Sequence, residues 1–439
     1  MDNTIEVIDG YLVRNTSPLS IRQIERQMQS DAILKKGLLF VGGARQGKTN
    51  VMRKVVSDIF DNKEDEDAVV FLDVKGDYYS TFFQEGDMVL DLLDDSCIWN
   101  VFEELKMLPF GYELDAKVRE IIEYLFYGQQ SEKEPFWTNA AKLITYCFMM
   151  YLLMEAEENN DDSNLNHEAL CRMIDGELGY INEDSELEDI YNTYRRILNT
   201  YEKFQAIQVF LPPLETGSNM GGSIITEIIV MRQKLFLGTF GTRKTRANQQ
   251  YISSGTLPML SNSKVLFLEY NPTYQMSCAC VFRCFIDMLI ATYLDARTYK
   301  GKLYLVLDEI ALLPELNRLA QALALGAQAG IRVIAGLQEI EQIKQNYRSN
   351  PHQANVIIGA FQSVIMFHSD TETVSYMQKR FGEALVSRKF IRAGGGVGFT
   401  EPVKVQTIES YEFAELTTGD AIVSFEGSRA FKIHFPRYC

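Results

Sequence analysis

The stretch VGGARQGKT, Val41–Thr49, constrains this chain more than any other. Gly42, four intervening residues and then Gly47, Lys48 and Thr49 match the phosphate-loop pattern GxxxxGK[ST]. That pattern has chemical meaning only between a strand and a helix, and both flanks read that way. "GLLFV" precedes it, and the residues after it place Val51, Met52, Val55, Val56, Ile59 and Phe60 along one helical face. The two glycines let successive backbone N–H groups turn around a phosphate, and the helix adds its positive end. Gly42, Gly43, Ala44, Arg45, Gln46, Gly47, Lys48 and Thr49 are therefore the expected nucleotide-binding set. Lys48 would reach the β- and γ-phosphates of ATP, and the Thr49 hydroxyl would ligate Mg2+.

Two further strand tips complete this chemistry. "LYLVLDEI" is an apolar strand closing on Asp308 and Glu309, the form of a Walker B element. Asp308 is expected to hold the magnesium shell, and Glu309 to orient the water that attacks ATP. "IRVIAGLQ" ends at Gln338, whose neutral amide can sense a γ-phosphate by hydrogen bonding. Lys48, Glu309 and Gln338 are the expected catalytic residues, with Thr49 and Asp308 as the metal ligands.

Six β-rich runs recur along the chain: "GLLFVG", "AVVFLD", "KVLFLEY", "LYLVLDE", "IRVIAG" and "SVIMF". Several are apolar on both faces, as strands of a parallel sheet covered by helices must be. From about Leu114 to Thr226 the period changes to helical, with acidic loops and almost no strand signal. The expected fold is α/β, a RecA-like P-loop ATPase with a mostly parallel central sheet and an all-α inserted domain. The nucleotide-binding domain would take residues 1–113 and 227–439, and the insertion residues 114–226.

Bulk properties narrow the class. No apolar run approaches the roughly 18 residues a membrane span needs; the longest, Ile144–Met154, is flanked by Lys142 and Glu155. The first residues, MDNTIEVIDG, carry no export signal. Seven scattered cysteines form no disulfide framework, so a soluble protein of the reducing cytoplasm is expected. Cys278, Cys280 and Cys284 make a CxCxxxC cluster, but no fourth ligand is evident nearby and the surrounding segment reads as a buried helix. The net charge of −16 arises largely from the runs "DNKEDED", "EAEENNDDSN" and "NEDSELED". A polyanion partner would need a concentrated basic surface. Two clusters qualify: Arg243, Lys244 and Arg246 in "TRKTR", and Arg388, Lys389 and Arg392 in "SRKFIR".

In this order, these pieces resemble the additional-strand ATPases of the FtsK and HerA kind, and specifically the TraD/TraG-type coupling proteins of conjugation and type IV secretion. The likeness rests on "VVFLDVKGDYY", "CIWNVFEE" and "PFWTNAAKLI", then on the Walker B strand, "GAQAGIRVIAGLQEIEQIKQNY", "FQSVIMFHSDTETVSYMQKRFG" and "LTTGDAIVSFEGSRAFKIHF". It implies a homo-hexameric ring that hydrolyses ATP between subunits and moves DNA, nucleoprotein or protein toward a secretion channel. Lys48, Thr49, Asp308, Glu309 and Gln338 occupy the corresponding catalytic positions, and Lys75 and Asp77 sit in the family's D-x-KG-[DE] element.

Three departures stand out. Only about 36 residues precede the first strand and none forms a span, so docking at the inner face of the membrane would need a separate anchored partner. Ala327 stands where the family usually has Arg, and His368 where Arg is common. An arginine finger is still expected in a ring, with Arg45, Arg332 and Arg348 as candidates. Three other functions remain open from sequence: an FtsK/HerA-like DNA translocase outside conjugation, an assembly motor of the secretion channel acting on proteins, and a catalytically silent scaffold. The long domain that assembly motors carry before the phosphate loop has no room here, and the intact acid pair speaks against the scaffold.

Overall fold

The computed structural model describes residues 6–8, 11–13, 21–94, 97–106, 108–126, 135–176, 194, 197, 219–241, 250–260, 264–295, 301–348, 350–389 and 400–438. In chain order its strands are β1 (Glu6–Ile8), β2 (Tyr11–Val13), β3 (Leu38–Val41), β4 (Ala68–Asp73), β5 (Met88–Leu90), β6 (Cys97–Trp99), β7 (Gln250–Ile252) and β8 (Val265–Glu269). They continue as β9 (Leu303–Leu307), β10 (Ile331–Leu337), β11 (Ser363–Met366), β12 (Glu383–Lys389), β13 (Thr400–Gln406), β14 (Asp420–Ser424) and β15 (Phe431–His434). Two compact units share them: residues 1–71, 300–311 and 318–439 form the first, and 72–299 with 312–317 the second.

The first unit is built on strands in the order β15-β14-β11-β3-β10-β9, with β4 following β9. The strands β3, β9, β10 and β11 are mutually parallel, with Leu38 opposite Ile334 on one side and Ser363 on the other. Every residue of these four strands is buried, which explains their unbroken apolar sequences. At the far edge β14 and β15 are antiparallel additions. The helices α1 (Ile21–Gln29) and α2 (Asp31–Leu34) precede β3, and α3 (Lys48–Asn62) follows it and buries Val51, Met52, Val55, Val56 and Ile59. A separate ribbon pairs β12 with β13, opposing Arg388 to Glu401 and Lys389 to Thr400.

β4 ends inside the second unit, where the Asp73 carbonyl accepts from the Tyr270 N–H just past β8 at 2.8 Å. There β8 runs parallel to β5, and β6 parallel to β7. The long elements described in the remainder of this unit are helices: Tyr112–Leu125, Pro135–Asn159, His167–Ile174, Asn219–Leu235 and Gln275–Leu294. Between residues 114 and 226 the described residues contain no strand. The second unit is thus larger than that helical segment, because it also holds β5 to β8.

Among the described residues one helical stretch, Ser277–Leu294, is long and apolar enough to cross a membrane, although charged residues interrupt its apolar sequence. It is 83% buried within the protein and carries Arg283 and Asp287, both fully buried, so it reads as a core helix. Cys278, Cys280 and Cys284 lie on it, and burial pushes each thiol pKa up, away from the thiolate a metal would require. Near it His167 is enclosed by Phe102, Phe236 and Phe240. Its Nε2 accepts the Val101 N–H at 3.0 Å, and desolvation lowers its pKa to about 3.

Candidate functional site

The loop between β3 and α3 is fixed by backbone hydrogen bonds to both neighbouring strands. Gly42 N–H donates to the Leu337 carbonyl at the end of β10, and Gly43 N–H to the His368 carbonyl beyond β11. Gly47 closes the loop at φ +107°, a conformation that L side chains rarely adopt, and serves as the N-cap of α3. Because the helix starts at Lys48, its first N–H groups have no intrahelical acceptor and can receive an anion. Ala44 and Arg45 are exposed at the crest of the loop, where Arg45 holds φ +64°. Gln46 gives its carbonyl to the Gly419 N–H at 3.0 Å.

The two strand tips meet this loop within the same unit. Lys48 is buried at 8% exposure, with Nζ 3.5 Å from Glu309 Oε2. Gln338 Nε2 donates to that same oxygen at 2.6 Å. The other carboxylate oxygen, Glu309 Oε1, is buried and has no hydrogen-bond partner. An orphaned acceptor of this kind is costly unless something supplies a proton donor; an attacking water would do so. Thr49 Oγ1 lies 3.4 Å from Asp308 Oδ1, longer than an ordinary O–H···O bond and suited to two oxygens sharing one hard cation.

Local packing sets these positions. A Cβ at Gly336 would lie 1.9 Å from the Asp308 carbonyl, so β9 and β10 approach closely just before the acid pair and the amide emerge. The Ser369 hydroxyl donates to the Gln338 carbonyl at 3.1 Å, tying the amide-bearing tip to the chain after β11.

The structure sorts the candidate arginines. Arg332 is only 3% exposed: its Nε donates to Asp31 at 2.7 Å and its Nη1 to the Ile331 carbonyl at 3.0 Å. Partial burial raises the Asp31 pKa, but Arg332 and Lys35 outweigh it and hold the carboxyl below its ordinary value. Arg332 is therefore a structural residue and cannot reach another subunit. Arg45 and Arg348 are exposed. Where the resemblance placed arginines, Ala327 offers only its carbonyl to Arg332, and His368 is exposed while its carbonyl holds Gly43.

Asp73 in "DVKGDYY" was missed from sequence. It is 1% exposed and accepts four backbone N–H groups: Lys75 and Asp77 on Oδ1, Tyr78 and Tyr79 on Oδ2. The D-x-KG element is thus a turn organised by its first residue, with Lys75 and Asp77 contributing backbone to it. An Asp placed before a glycine-containing tight turn was the available signal. Of the basic clusters, Arg243, Lys244, Arg246 and Arg392 lie outside the described residues, and Arg388 and Lys389 are placed only as backbone of β12.

Residues 29–193 and 243–402 match the family model described as the type IV secretion-system coupling protein DNA-binding domain. No curated protein matches the chain at a significant level. Among solved structures, the bacterial conjugative coupling protein TrwBdeltaN70 with sulphate superposes at TM-score 0.73, with 18% identity over 99% of this chain and 96% of that one. The plasmid coupling protein TrwB with ADP and Mg2+ gives TM-score 0.71 and 18% identity, covering 97% of this chain and 95% of that one. VirB4 of Thermoanaerobacter pseudethanolicus is more distant, at TM-score 0.51 and 10% identity over 98% of this chain and 94% of that one.

Proposed function

The chain belongs to the family of type IV secretion-system coupling protein DNA-binding domains, and from that premise we propose that it is an ATPase that moves DNA or nucleoprotein toward a conjugation or secretion channel. The observation that carries the catalytic half is the convergence of Lys48 and Gln338 on one carboxylate oxygen of Glu309, with its second oxygen buried and unpaired. ATP is the substrate in this reading. The loop 42–49 encloses its phosphates, Lys48 meets the γ-phosphate, and Glu309 accepts the proton of the attacking water. Thr49 and Asp308 are the residues that would hold magnesium, which when bound neutralises charge on the phosphates. Gln338, already bonded to Glu309, reports whether the γ-phosphate is present.

The related TrwB structures are complexes with ADP and Mg2+ and with non-hydrolysable ATP and GTP analogues, which supports nucleotide and Mg2+ as ligands here. In the same reading the working state is a homo-hexamer in the cytoplasm, held at the inner face of the membrane by a separate anchored partner. Residues 114–226 are its all-α inserted domain, and Arg45 or Arg348 acts as the finger toward the neighbouring subunit. Arg243, Lys244, Arg246, Arg388, Lys389 and Arg392 supply its DNA contacts. Measuring ATP hydrolysis with and without single- and double-stranded DNA tests the proposal directly. Stimulation is expected, and a rate indifferent to DNA would remove the cargo assignment while leaving the ATPase.

A further inference from the structure

The triphosphate direction in this site is set by the order of strands. The groups assigned to the γ-phosphate, Lys48, Glu309 and Gln338, face β9 and β10, which lie on one side of β3. The α-phosphate and the nucleoside must then leave on the other side, over β11, β14 and β15. β14 is antiparallel to β11 and β15 to β14, with Asp420 opposite His434, so Gly419 and Phe435 lie at the same sheet edge as the phosphate loop.

There the chain does something the catalytic reading does not use. Gly419 N–H donates to the Gln46 carbonyl, and Phe435 N–H donates to the Gly419 carbonyl at 2.8 Å. Over the next three residues the same segment grips α3: Asn50 Nδ2 donates to the Pro436 carbonyl and Asn50 Oδ1 accepts the Tyr438 N–H, each at 2.9 Å. The Tyr438 hydroxyl then donates to Glu25 on the helix Ile21–Gln29 at 2.7 Å. Lys48 and Thr49 are therefore clasped between two anchors, the Gln46 carbonyl before them and the Asn50 amide after them. Arg437, between the two residues bonded to Asn50, is exposed.

Resting on the ATP assignment above, we propose that Pro436–Tyr438 is a strap forming the wall against which the ribose and base of the nucleotide rest, with Asn50 as the positioning residue that holds it. Asn50 directly follows Thr49, and its side chain turns toward the segment after β15, the side on which the nucleoside would emerge. The amide makes one donor and one acceptor contact to the strap backbone from two separate atoms, a pairing that Ala cannot reproduce.

The test compares ligands with and without a nucleoside on the full chain. Asn50→Ala removes both contacts, and Tyr438→Pro removes the N–H donor, together with the hydroxyl bond to Glu25, while leaving Asn50 in place; thermal melts confirm that each variant is folded. Affinity for ATP and ADP is expected to fall about tenfold in both variants, the scale of one or two net hydrogen bonds. The KM for ATP should rise by the same factor with kcat within about twofold, and inorganic tripolyphosphate should bind as in the parent. Unchanged ATP affinity in both variants overturns the strap. Equal weakening of tripolyphosphate and ATP also overturns it, since the contacts would then shape only the phosphate loop. A parent protein that binds no ATP at all would instead overturn the proposed function.

Discussion

Glu309 shares one oxygen between Lys48 and the Gln338 amide and leaves the other without a donor, an arrangement that in the proposed function a water and a nucleotide complete. Glu309→Gln should therefore bind ATP as the parent does and hydrolyse it on the order of 100-fold more slowly, the low end of general-base contributions; single-turnover hydrolysis alongside nucleotide affinity checks this. Lys48→Ala should abolish turnover, and unchanged hydrolysis in the purified variant would refute the site. His167 gives a pH prediction of definite sign. Its folded pKa, about 3, lies below the ordinary 6.5, so the unfolded chain binds the extra proton and stability falls as pH drops from about 6.5 toward 3. Each unit of that depression is worth about 1.4 kcal/mol. A His167→Gln variant should melt with a shallower pH slope across that window than the parent. The residues proposed as catalytic stand out in the sequence because each closes a strand or opens a helix in a short motif. The structural role of Arg332 does not, since the aspartate that claims it lies 301 positions away.

At the scale of elements, all six β-rich runs became strands, because a continuous apolar stretch of four to seven residues bounded by polar or glycine residues has few other stable forms. The edge strands escaped notice. β5 has three residues, and β15 alternates half-buried with exposed positions, which reads as an amphipathic loop. Strand order was also out of reach, since sequence alone does not say that β10 lies between β3 and β9. That placement brings loop, acid pair and amide together, and Gly336 is where it is most sensitive. Gly336→Ala would force its Cβ against the Asp308 carbonyl, so the strands must separate. The expected result is a lower melting temperature together with a larger fractional loss of ATP turnover than of ATP binding, read by calorimetry and steady-state kinetics.

For the whole molecule, the charge of −16 and a DNA cargo are compatible only if the basic residues are concentrated where the strand passes. Charge reversal at Arg243, Lys244 and Arg246 should reduce DNA-stimulated hydrolysis, flatten its dependence on salt and leave the basal rate intact. Light scattering with nucleotide and DNA should show a hexameric mass; a monomer at full activity would sink the ring. The division into units was only partly visible beforehand. The helical period from 114 to 226 announces an insertion, but the flanking β5 to β8 segments join the helices because their partners, such as Leu266 for Met88, are distant in sequence.

The grip of Asn50 on the residues before and after Arg437 carries a practical consequence. In the proposed arrangement, a fluorophore coupled at the exposed position 437 would stand beside the nucleoside and pull on α3 through Asn50. Affinities measured on such a preparation would report the label as well as the protein, whereas a label placed elsewhere would leave the measurement clean.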